Sequence, residues 1–111
     1  MDSEKKFYRL LPTTSKAPKV GERTLVFVHK DMWFAYMFGW HGETCNLYEV
    51  TGDVVAGAGR FEDVQMVYSE ADNNDMRTLV ETAQIVVKSV EIVNTIEVRE
   101  ASDGSTYYIR R

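Results

Sequence analysis

The chain is poor in cysteine and proline: Cys45, Pro12 and Pro18 are all it has in 111 residues. A single cysteine rules out an intramolecular disulfide framework and fits a reducing compartment. No apolar run approaches the ~20 residues that a membrane-spanning helix needs. The opening Met1-Asp-Ser-Glu-Lys-Lys-Phe7 has no apolar core of the kind a secretory signal carries. The expected location is therefore cytoplasmic, away from membranes. Soft metal ligands are scarce too: only His29, His41 and Cys45. A structural zinc site takes four ligands, usually in paired short spacings. Here His41-Gly-Glu-Thr-Cys45 is the one local pair, Glu43 could add an oxygen, and His29 would have to arrive from a neighbouring strand. The expectation is no metal and no cofactor.

Catalytic patterns are equally thin. Cys45 and His41 form the only sequence-local nucleophile and base, and no glycine-flanked elbow accompanies them. Gly57-Ala-Gly59 lacks the Lys-Ser/Thr sequel of a phosphate loop and reads as a bend. Glu62 and Asp63 are adjacent in an alternating run, so they point to opposite faces and make no acid–base dyad. No catalytic residue is assigned, and a non-enzymatic role is favoured.

The composition is that of a globular protein, 44% hydrophobic and 27% charged, with aromatics at 12% on the rich side. The length fits one domain, 1–111, with residues 1–6 expected to be flexible. The net charge of −4 is unevenly spread. Residues 1–23 hold six basic and three acidic side chains. Between Glu43 and Asp75 eight carboxylates face one cation, Arg60. Such a stretch repels phosphate, so nucleic-acid binding is not expected. Its plain reading is a solubilising face; its functional reading is a surface that steers a basic partner.

Along the chain, Phe7 to Leu11 reads as a strand ended by Pro12, and residues 13–23 as an irregular loop. Thr24 to His29 (TLVFVH) is β-branched and aromatic, the strongest strand signal. After Lys30-Asp31 comes Met32 to Trp40 (MWFAYMFGW). It predicts a second hairpin strand, apolar on both faces and hence central. Asn46 to Thr51 and Phe61 to Ser69 alternate and predict two further strands, with Gly52-Asp53 as a turn. From Met76 the apolar residues recur at three and four: Leu79, Ala83, Val86, Val90. That spacing predicts a helix capped by Asn74 or Asp75 and running to about Val90, although Gln84 to Ile92 also reads as strand. Thr95 to Arg99 and Thr106 to Arg110 flank Asp103-Gly104, a hairpin signal. The expected architecture is α+β: a curved antiparallel sheet of five to six strands, or a small barrel, with one packed helix.

Leu11-Pro12, Gly21, Leu25-Val26-Phe27-Val28 and the aromatic segment resemble a family of short phage and prophage proteins of unknown function. Those proteins close on Val-x-His-Trp, where this chain has Val64-Gln-Met-Val-Tyr68. The likeness covers about half the chain and implies no activity. It implies an accessory protein of phage type.

Two functional expectations follow. The first is a protein-binding module, an inhibitor or modulator of a host protein. Its contacts would come from Trp33, Phe34, Tyr36, Phe38 and Trp40, because large aromatics dominate buried interface cores. Glu49, Asp63 and Glu70 would add charge from the solvent face. The apolar excess of that segment also predicts a homodimer. The second is a small-ligand or nucleotide pocket built around residues 32–40. A concave aromatic cavity would favour the pocket, and an exposed apolar or acidic patch the interaction module.

Overall fold

Strand is formed wherever β-branched residues are dense in this chain, and helix only where they are missing. In the computed structural model, which describes residues 5–67 and 75–111, β1 spans Lys6–Pro12 and β2 Arg23–Phe27. A 3-10 turn, Lys30–Met32, leads into α1, Trp33–Met37, the one α-helix among the described residues. Two long strands follow, β3 Thr44–Val67 and β4 Asp75–Glu100, and then β5 Thr106–Arg110. The fold is α+β, a curved antiparallel sheet with one short helix packed on it. The strand order is β2-β1-β3-β4-β5, and β2 also pairs with β4, which joins β1, β2, β3 and β4 in a ring. The ring is thin at one seam: β1 and β2 meet at the single pair Tyr8↔Phe27.

Straight, a strand of β4's length would run about 85 Å at ~3.3 Å per residue, yet the longest dimension of the molecule is 48 Å. The long pair must bend, and its register shifts are where it does. They fall between Leu47 and Tyr48, Thr51 and Gly52, Val54 and Ala56, and Ala56 and Arg60. An extra residue on one strand sharpens twist and bends the ladder. The last shift contains Gly57 and Gly59, both at positive φ (70° and 77°). Gly52 serves differently: a Cβ there would lie 2.2 Å from the Val86 carbonyl oxygen, so only glycine permits the close approach of the strands.

Alternation along the strands feeds two apolar clusters. Phe7, Tyr48 and Val50 join Val26, Ala83, Ile85 and Val87 in one. Leu10, Cys45, Leu47, Ile96 and Val98 join Phe27, Val80 and the helix residues Trp33, Ala35 and Met37 in the other. The register explains the division: Phe7 pairs with Val50 and Leu10 with Leu47, and residues three apart on a strand face opposite ways.

Several expectations are corrected. Met32 to Trp40 is not a strand: residues 33–37 are helical and the segment caps one apolar cluster. It contains no Val, Ile or Thr, whereas Met and Ala are good helix formers. Conversely, residues 75–90 are strand, not helix. Ala83, Ile85 and Val87 are buried at period two, while Leu79, expected to face the sheet, is 61% exposed. Asn74 as a helix cap lies outside the described residues. Gly52-Asp53 is no turn but a bulge within β3, and the two strands expected either side of it are one. The hairpin around Asp103-Gly104 forms as expected, β4 pairing with β5 from Ile96↔Arg110 to Glu100↔Thr106. Gly104 takes φ 85° there, and the Asp103 carboxylate accepts the Ser105 N–H at 2.9 Å.

Candidate functional site

The aromatic residues expected to bind a partner are mostly engaged within the chain. Trp33 is buried and meets Tyr108 edge-on, ring centroids 4.7 Å apart. Tyr36 stacks on Phe27 at 5.1 Å, and its hydroxyl donates to Glu62 Oε2 at 3.2 Å. Burial, then the adjacent Glu62 carboxylate, push that phenol above its ordinary range. Phe34, Phe38 and Trp40 are half-buried against the same cluster. The segment is an internal plug rather than an open surface.

Of the charged candidates, Glu49 and Asp63 lie on different halves of β3. Glu49 sits on β3 against Lys6, 3.2 Å away, with its side chain only 15% exposed. Asp63 lies exposed on the far half of β3. Glu70 lies outside the described residues. Asp53 pairs with Lys88 at 3.1 Å. Two carboxylates of the acidic stretch, Glu49 and Asp53, are thus met by cations from other strands.

His41 and Cys45 go separate ways. The His41 ring nitrogen Nε2 bonds the Thr106 hydroxyl at 2.6 Å. Cys45 is fully buried, and burial pushes its thiol up to about 11, far from the thiolate a nucleophile needs. Gly57 and Gly59 serve the bulge described above. Among the described residues, no three His, Cys, Asp or Glu side chains converge.

What the structure does assemble lies between β2 and the far half of the β3–β4 pair. Phe61↔Glu81 and Asp63↔Leu79 are opposite one another, so these four side chains share one face. Phe61 is 59% exposed, Leu79 61%. Glu81 Oε2 lies 3.1 Å from His29 Nε2 and accepts its N–H in the tautomer that carries the proton there. On the other face of the same strands Val80 is fully buried and Val64 packs on the helix cluster. One side of the arm is therefore anchored and the other presents an apolar pair with carboxylates beside it. Beside Phe61 opens a recess of about 440 Å³, lined by Leu25, Gly57, Arg60, Glu62, Thr82 and Gln84 among others. A second recess of about 200 Å³ shares Leu25 and Glu62 and reaches Arg9, Tyr36 and Trp40 at the thin β1–β2 seam. Arg9 Nη1 donates to the Leu25 carbonyl at 3.0 Å, while its buried Nε has no partner among the described residues.

Phe61 and Leu79 were missed by sequence reasoning, but a signal existed. Phe61 shares its parity with Asp63 and Gln65, the wetter face of the alternating run. Read as strand, Leu79 shares parity with Glu81. A large apolar residue on a polar face is the mark of an exposed contact. No protein-family model matches the chain, and neither the curated proteins nor the solved structures contain a significant match.

Proposed function

We propose that the protein is a non-enzymatic binding module. It docks a partner protein on the Phe61–Leu79 face of the β3–β4 arm, and Asp63 and Glu81 select a partner with basic groups beside an apolar anchor. The observation that carries this reading is the pair of large apolar side chains, each about three-fifths exposed, on one face of the arm. Exposed apolar groups rimmed by charge mark interaction surfaces, and the adjoining recess offers the kind of pocket into which an interface anchor packs. The resemblance to short phage proteins fits an accessory role; inhibition or modulation of a host protein is the form of that role we propose.

The test is affinity capture from a lysate of the source organism, with wild-type protein and with Phe61→Ser/Leu79→Ser in parallel. A specific partner retained by the first and lost by the second is expected. An identical set of captured proteins would contradict the reading. With the partner in hand, Asp63→Lys should slow association and flatten its salt dependence, because rim charges act mainly on the on-rate.

The aromatic recess at Arg9 supports a small-ligand role less well. Its volume of about 200 Å³ falls below the ~300 Å³ at which ligand pockets begin.

A further inference from the structure

Among the described residues, β5 is the last strand of the sheet and pairs only with β4. Tyr107, Tyr108 and Ile109 are each 42% exposed. A free edge bearing apolar residues invites another strand, and folded proteins usually blunt such edges with charge, proline or a bulge. Between Thr106 and Arg110 this edge has no proline, and its only charge stands at the end.

The backbone shows which residues address the free side. Ala101 N–H donates to Ser105 O at 2.8 Å, and Arg111 N–H to Thr95 O at 2.9 Å. Both belong to the register that pairs Glu97 with Ile109 and Arg99 with Tyr107. In an antiparallel ladder, pairs that exchange hydrogen bonds alternate with pairs that do not. Tyr107, Ile109 and Arg111 therefore spend their peptide groups on β4. Those of Thr106, Tyr108 and Arg110 point outward.

We propose that β5 pairs antiparallel with β5 of a second copy of this chain, about a two-fold axis at Tyr108. This register is the one that uses every outward-facing peptide group of β5: Tyr108 exchanges hydrogen bonds with its own copy, and Thr106 with Arg110 of the second chain. The side chains agree with it. Tyr107 falls opposite Ile109 of the other copy, an aromatic and β-branched pair of the kind that stabilises antiparallel strands. The two Tyr108 rings, each already set edge-on against its own Trp33, meet across the axis. Charge agrees as well. Arg110 is never opposite Arg110; it lies across from Thr106, whose neighbour on β4 is Glu100. Each end of the joint thus has a row Glu100, Thr106, Arg110 with opposite charges flanking a hydroxyl. This surface is separate from the Phe61 face, so the proposal stands or falls independently of the partner reading.

Light scattering on the full chain should give a mass about twice the 12.7 kDa of the monomer. Arg110→Pro removes an outward N–H while leaving the β4–β5 bonds intact, and should return the mass to that of the monomer. Tyr107→Glu/Ile109→Glu changes only side chains that are already part-exposed, places carboxylates opposite carboxylates, and should do the same with an unchanged circular dichroism spectrum. Oxidation of Tyr107→Cys/Ile109→Cys should yield a covalent dimer, because these positions face each other across the axis. A monomeric wild-type protein at high micromolar concentration would overturn the proposal. So would a dimer that survives the two-glutamate variant.

Discussion

At Gly52 the fold depends on the absence of an atom. A Cβ would sit 2.2 Å from the Val86 carbonyl oxygen and 2.9 Å from its carbon, both backbone atoms that cannot swing aside. Gly52→Ala should therefore destabilise the protein by about 3 kcal/mol, the upper range for overpacking a closed space. Gly59→Ala meets nothing within 4 Å and is strained only by its positive φ, so its cost should be about 1 kcal/mol. Chemical denaturation of the two variants side by side checks the order. Cys45 gives a second test at this scale. Its thiol is lifted from 9.0 to about 11 by burial first and by the Glu43 carboxylate second. A folded pKa above the unfolded one means that the folded state holds the proton longer, so this contribution to stability is complete below pH 9 and is lost as pH rises toward 11. Cys45→Ala should flatten the fall in stability over that window. In the native wild-type protein, alkylation at pH 8 should be slow until denaturant is added.

Two elements exchanged identities between sequence and structure, and the reason is the same in both. Residues 32–40 are apolar at nearly every position, so no period can be read from them. Residues 79–93 carry apolar groups at helical and at strand spacing together. Periodicity was uninformative in the first and ambiguous in the second. Residue type was decisive: β-branched side chains are absent from the first segment and crowd the second, Ile85-Val86-Val87 above all. The isolated five-residue helix would be marginal by itself; it persists because Trp33, Ala35 and Met37 are buried in the cluster beneath it. The hairpin at Asp103-Gly104 was legible because turn chemistry and alternation agreed there, and β1 and β2 because their short runs are apolar, with β2 also β-branched and aromatic. The bulges in β3 were not, since their cause is closure of the sheet around a core assembled from distant residues. Strand geometry for β4 makes a clear prediction. Ile85→Asp puts a charge at a fully buried site and should abolish cooperative unfolding, whereas Leu79→Asp, at a position 61% exposed, should change stability by no more than about 0.5 kcal/mol. Comparable damage from both would favour the helical stripe. Trp33→Ala removes the side chain that joins helix to sheet and to Tyr108, and should cost about 3–5 kcal/mol in thermal unfolding.

For the molecule as a whole, the candidate site was only partly legible. The acidic stretch is real as sequence, but folding distributes it: Glu49 and Asp53 meet Lys6 and Lys88, and Glu62 meets Tyr36. The aromatic segment turned inward. Among the exposed apolar residues, Phe61 and Leu79 stand on one face of the β3–β4 arm, in a register set by the bulges that precede Phe61 on β3. If this face meets a partner protein as proposed, a photoreactive residue placed on it will capture that partner. Benzoylphenylalanine placed at Phe61, and separately at Val20, which is also exposed at 69%, should be irradiated in a lysate of the source organism. A discrete covalent adduct with one protein is expected from position 61, and none from position 20. Equal labelling at both positions, or no adduct at position 61, would contradict it.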